Sequence, residues 1–177
     1  MCSSDLGMKA GAFTSLPAPT VTGVSPASGP LSAGTSITIT GTNFTDLGTA
    51  ATVSVGGVAA TMVAVVNATT ITAKAPAGTA GAKAVEVTTA GGTASLANAF
   101  TYVAAPTITA ISPVAGPLAA GTSITITGTN LTGATVTIGG TAATSVVTTA
   151  TTITAKTPAG TAGAKDVVVT TVGGSAT

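Results

Sequence analysis

Arginine, histidine and tryptophan are absent from the 177 residues, and cysteine occurs once, as Cys2. Without histidine or a cysteine pair, the commonest general bases, nucleophiles and zinc ligands are missing. A single cysteine also excludes an intrachain disulfide, so any fold is held by packing alone, and cysteine usage does not fix a redox compartment. Charge is nearly as scarce: five lysines stand against four acids, for a net charge of +1. That is far from the basic footprint of a nucleic-acid binder, and no basic run suits an anionic membrane. No apolar stretch reaches the roughly 18 residues that span a bilayer, because Thr, Gly and Pro interrupt each candidate. Aromatics make up 2%.

What is abundant is threonine, 40 residues of it, together with Ala, Gly and Val. Branched Cβ atoms favour half-buried pleated backbone. Gly and Pro recur about every ten residues, the punctuation of an all-β chain with many short strands. Disorder, which goes with low hydrophobicity and high net charge, is excluded.

Internal repetition organises the chain. Residues 19–44 match residues 106–131 at 19 of 26 positions with an offset of 87, and residues 69–95 match 151–177 at 21 of 27 with an offset of 82. The five-residue difference lies between Phe44 and Thr69 and is assigned to a surface loop, where insertions are tolerated. Within the first repeat, strands are expected over 20–24, 35–40, 52–55, 58–66, 69–73, 83–89 and 93–103. Turns are expected at Ser25-Pro26, Gly29-Pro30, Gly56-Gly57 and Gly91-Gly92. Alternation puts Ile37, Ile39, Val85 and Val87 inward and Glu86 outward. The second repeat has Ile124, Ile126, Val136, Ile138, Ile153, Val167 and Val169 at the matching places. Seven or so strands in about 85 residues describe a small sandwich.

The ends read differently. Met1 to Leu6 resemble the translation of a sequencing adapter and are set aside from the fold. Residues 10–16 resemble the closing strand of an upstream repeat, since Phe13-Thr14 stands 87 residues before Phe100-Thr101. Residues 1–18 are thus assigned to adapter, remnant and linker, 19–103 to a first domain, and 106–177 to a second. The second lacks the counterpart of LANAFTYV (residues 96–103), the first domain's last strand.

Ser-Pro, Gly-Pro, AGTSITITGTNF, a Gly-Gly strand end, Pro-Ala-Gly, a Val-x-Val-Thr strand and a closing Phe-Thr-Tyr together resemble the IPT/TIG domain. Leu131 departs from the usual Phe, and the second closing strand is missing. The resemblance implies tandem immunoglobulin-like sandwiches of the early set, without the usual disulfide and without a catalytic site. Its roles run from adhesion, ligand presentation and domain spacing in secreted enzymes to DNA contact in Rel-type factors, and fold alone does not choose among them.

Residue by residue, little chemistry appears. Asp46, Glu86 and Asp166 occupy non-equivalent positions and form neither a glycosidase pair nor a calcium cluster. Ser25, Ser36 and Ser112 lack an activating partner. Gly41, Gly56, Gly57, Gly91 and Gly92 suit turns that need φ > 0. The repeated lysines Lys74, Lys83, Lys156 and Lys165 suit sheet edges, where they discourage intermolecular pairing. Phe44 and Phe100 are expected in the core. Tyr102 is expected near the domain junction with its hydroxyl exposed, and it is the one residue singled out for ligand contact, as a sugar platform. Asn43, Asn67 and Asn130 each begin an Asn-x-Thr acceptor sequence.

No catalytic, metal or cofactor-binding residue is expected, and no cofactor. The reading is a non-catalytic structural or adhesive repeat at a bacterial surface or in a large secreted protein. The alternative is a carbohydrate-binding accessory module of an extracellular enzyme. Expected partners are neighbouring repeats of the same chain, then surface proteins or glycans. Nucleic acid and membrane insertion are not expected.

Overall fold

A computed structural model describes residues 14–45 and 50–177. Cys2, Asp5, Phe13 and Asp46 lie outside the described residues, as does the adapter-like stretch. Of the stretch 10–16 only 14–16 are described, and they carry no strand.

The first sandwich has two facing sheets. One is formed by β1 (Thr20–Ser25), β3 (Ser36–Thr42), β7 (Thr70–Lys74) and β6 (Thr61–Asn67), in that spatial order. The other runs β2 (Ser28–Pro30), β9 (Gly92–Val103), β8 (Gly81–Thr89), β4 (Thr52–Val55) and β5 (Val58–Ala59). All pairings are antiparallel except β2 with β9. Period-two alternation delivers the core as expected: Ile37, Ile39 and Ile71 from the first sheet meet Val53, Val85, Val87 and Phe100 from the second, and Phe44 enters from the loop after β3. Glu86 faces solvent.

The second sandwich repeats this order without a counterpart of β2. β10 (Thr107–Ser112), β11 (Ser123–Thr129), β15 (Thr152–Lys156) and β14 (Thr144–Thr148) form one sheet. β13 (Thr141–Ala142), β12 (Thr135–Ile138), β16 (Val167–Thr171) and β17 (Gly174–Ala176) form the other. Ser36 opposes Lys74 just as Ser123 opposes Lys156, so the register is copied along with the sequence. Its core is Ile126, Leu131, Val136, Ile153 and Val169.

Three expectations are corrected. Gly29-Pro30 is not a turn but part of β2, which runs parallel beside β9; a proline without an N–H is tolerated at that sheet edge. The length difference between repeats is not all in one loop. Phe44 to Thr52 is four residues longer than Leu131 to Thr135, and the fifth residue is taken up in β6, whose second register shift, between Val65 and Asn67, has no counterpart in β14. The lysines do not guard edges: Lys74 sits on β7 and Lys83 on β8, both interior strands. Instead, the edge strands β6 and β14 each carry a β-bulge, with Met62 (φ 51°) and Ser145 (φ 52°) in the left-handed region. Bulges bend an edge and spoil it as a template for another strand.

Candidate functional site

Tyr102 is the residue sequence reasoning singled out, and the structure places it in the core at 2% exposure. Its ring meets Phe100 edge-on, with centroids 5.0 Å apart and planes at 77°. Its hydroxyl donates to the Pro76 carbonyl at 2.6 Å. The expected exposed hydroxyl is therefore corrected: a buried phenol needs a partner, and the turn after β7 supplies one. Burial also pushes its pKa above the ordinary tyrosine value, since a phenolate would lose its hydration there. Gly78 lies so close under the ring that a Cβ would overlap it. The ring thus offers no stacking face to a solute. Phe44 and Phe100 are buried too, so every aromatic among the described residues is a core residue.

Other singled-out residues do not converge. Glu86 and Asp166 lie exposed in different sandwiches, and among the described residues no three His, Cys, Asp or Glu side chains gather as a metal site. The lysines act through their stems. A Cβ on Gly56 would contact the Lys83 side chain at 3.1 Å, and one on Gly139 would contact that of Lys165 at 3.0 Å. Each lysine therefore lays its methylenes over a hairpin turn while its ammonium stays outside. Among the described residues no helix is long and apolar enough to cross a membrane.

The arrangement that recurs in both sandwiches lies where the chain enters each of them. Asn43 and Asn130 adopt φ of 59° and 56°. Their side-chain amides donate to the carbonyls of Ala18 (2.9 Å) and Ala105 (3.0 Å) in the segment leading into the same sandwich. Gly91 and Gly173 close the other side: a Cβ on either would overlap a carbonyl oxygen, of Pro17 and of Ala104 respectively. Gly41 and Gly128 admit the carbonyls of Thr20 and Thr107 in the same way. Of the glycines expected at positive φ, Gly56, Gly57 and Gly92 have it, whereas Gly41 and Gly91 serve close approach. Sequence reasoning noticed Asn43 and Asn130 only as glycosylation acceptors. The signal that could have found their role is the repeated Gly-Thr-Asn after a strand, where Asn tolerates the left-handed region.

Two facing sheets per repeat, no disulfide and a clamped entry segment define a tandem of immunoglobulin-like β-sandwich modules. The IPT/TIG domain family model matches residues 19–102 and again 106–177, and the chain belongs to that family. Among solved structures, it is similar to two forms of the plexin A4 extracellular region, both at 24% identity. One has a TM-score of 0.52 and covers 97% of this chain and 19% of that one; the other has 0.54, 98% and 16%. A surface glycan-binding protein, SGBP-B from a xyloglucan utilization locus in Bacteroides uniformis, matches at 25% identity with a TM-score of 0.40, covering 90% of this chain and 48% of that one. The chain therefore spans less than half of the solved proteins named here. No curated protein matches it.

Proposed function

We propose that this chain is a non-catalytic spacer, two modules over 19–103 and 106–177, that sets the separation and direction of other domains in a larger extracellular or cell-surface protein. The observation that carries this reading is the repeated clamp on the entry segment. An amide from Asn43 or Asn130 takes a linker carbonyl, and a glycine turn seats the linker backbone on the opposite side. Between the sandwiches only 104 and 105 intervene, and both are engaged by the second one. Short, tied junctions limit domain swing. Low charge and a core without titratable side chains other than Tyr102 fit a module whose output is geometry.

Small-angle scattering tests the reading. A single extended particle is expected, with a maximum dimension near the sum of two sandwiches. A Gaussian spread of dimensions or a folded-over pair would overturn it. The sugar-binding alternative calls for an exposed aromatic platform, and the aromatics of the described residues are all buried. Saturable retention of the folded chain on a polysaccharide matrix, released by soluble oligosaccharide, would restore it.

A further inference from the structure

The chain enters the first sandwich at one end and leaves it at the other. Pro17 and Ala18 lie against the turn that begins β9: a Cβ on Gly91 would overlap the Pro17 carbonyl, and one on Gly92 would stand 3.5 Å from the Ala18 Cβ. β1 starts at Thr20, just beyond, and β9 runs from that turn to Val103, where the chain passes on to Ala104. β9 has 12 residues, so entry and exit stand roughly 35 Å apart along its axis. β2 is parallel to β9 and therefore also points from entry to exit.

Tension on the chain draws β1 and β2 back toward the entry and β9 forward toward the exit. The bonds that resist it cross the strand axes. β2 pairs with β9 at Ser28–Thr101, Gly29–Tyr102 and Pro30–Val103, and the Thr101 amide donates to the Ala27 carbonyl at 2.8 Å. β1 pairs with β3 from Thr20–Thr42 to Ser25–Thr38, and β9 pairs with β8 from Gly92–Thr89 to Tyr102–Gly81. Ladder bonds lie perpendicular or slanted to their strands. A pull along the axes therefore loads each ladder as a whole, and none opens pair by pair. Side chains lock β9 as well. Phe100 is fully buried, and the Tyr102 ring sits tight over Gly78 with its hydroxyl donating to the Pro76 carbonyl at 2.6 Å. Because β2 follows directly on the entry strand and grips the exit strand, force passes between the two across one ladder without crossing the core.

We propose that the first sandwich is a tension-bearing link whose clamp is the parallel β2–β9 pair: it carries a pull between its entry and exit segments without opening, and yields far more readily to a pull across its strands. This goes beyond spacing and does not depend on it. A spacer needs a fixed junction, whereas the clamp lies inside one module. A chain that scatters as a flexible pair would still hold load, and a chain that scatters as a rod could still lack the clamp.

The test is single-molecule force spectroscopy on the 177-residue chain, with Cys2→Ser removing its own thiol. Handles are attached through engineered cysteines at exposed positions. Ser15→Cys with Ala105→Cys pulls along the strands from entry to exit. Ala80→Cys with Ala105→Cys pulls β8 and β9 apart from their open end, where Gly81 opposes Tyr102; Thr79→Cys replaces Ala80→Cys if that variant does not fold. Rupture under force follows the unfolding rate along the pulled direction, so at one loading rate the first pair should break at a force at least about twofold higher than the second. It should do so in a single step that releases about 250–300 Å of chain, the length of the whole module. Equal or lower force along the strands would overturn the proposal. So would a staircase of short extensions at low force, in which β1, β2 and β9 leave one after another.

Discussion

Threonine does at the surface what charged residues do elsewhere. Hydroxyls face one another across strands at Thr20–Thr42 (2.8 Å), Thr107–Thr129 (2.8 Å) and Thr88–Thr93 (2.9 Å). Such pairs add a few tenths of a kcal/mol each, up to about 1. Single positions carry more where backbones touch. Gly41→Ala would drive a Cβ into the Thr20 carbonyl and the Phe44 ring, and we expect a loss of roughly 3 kcal/mol, read as a lower urea midpoint. Tyr102→Phe removes the hydroxyl and leaves the Pro76 carbonyl unmet, a loss of about 1–2 kcal/mol. The same hydroxyl sets a pH dependence. Because burial raises its folded-state pKa, its contribution is full below the unfolded value of about 10 and is lost as pH rises from there through the folded value. Thermal melts between pH 8 and 11.5 should show the first sandwich weakening at the alkaline end, and Tyr102→Phe should flatten that slope.

Strands in this chain exist in pairs or not at all, and β8 against β16 shows it. β8 begins at Gly81, where Tyr102 opposes it, whereas β16 begins at Val167, four residues later than the counterpart of Gly81. Residues 81–83 and 163–165 are the same Gly-Ala-Lys; the partner is not. Appending a copy of residues 96–103 after Thr177 should restore strand to 163–165 and raise the melting midpoint of the second sandwich by several degrees, on the scale of roughly 4–8 °C per kcal/mol for a domain of this size. Equal midpoints with and without the added strand would refute it. Within the first sandwich, Phe100→Ala should cost about 3–5 kcal/mol, because it empties the space a fully buried ring fills in the core; chemical denaturation would read that directly.

At the scale of the whole molecule, what matters is the passage from one sandwich to the next. Asn130 and Gly173 hold the Ala104–Ala105 carbonyls from two sides. Asn130→Ala removes the amide and the residue that tolerates φ of 56°. It should widen the distribution of distances between spin labels placed on β5 and β13 while changing the melting of either sandwich by no more than about 1–2 kcal/mol. An unchanged distribution would separate the clamp from interdomain order.

Much of this was legible before any coordinates. Most strand positions and the inward Ile and Val set follow from period-two alternation and Gly-Pro punctuation, the repeats from self-similarity, and the family from the resemblance of its motif set; the expected strand 58–66 is instead split, β5 lying in one sheet and β6 in the other. The sheet partners were not, because pairing joins residues far apart in sequence: β2 read as a turn until β9 was seen beside it, and lysines read as edge guards lie on interior strands. Tyr102 could be named but not placed, since whether a phenol faces solvent or the Pro76 carbonyl depends on what the rest of the chain builds around it. Asn43 and Asn130 were visible as letters, yet their work is a tertiary contact with a linker 25 residues earlier. The sequence by itself determined the modules and their cores. Only the tertiary structure decided which edge each strand occupies and how the linker is held, because each of these depends on atoms that sequence order does not bring together.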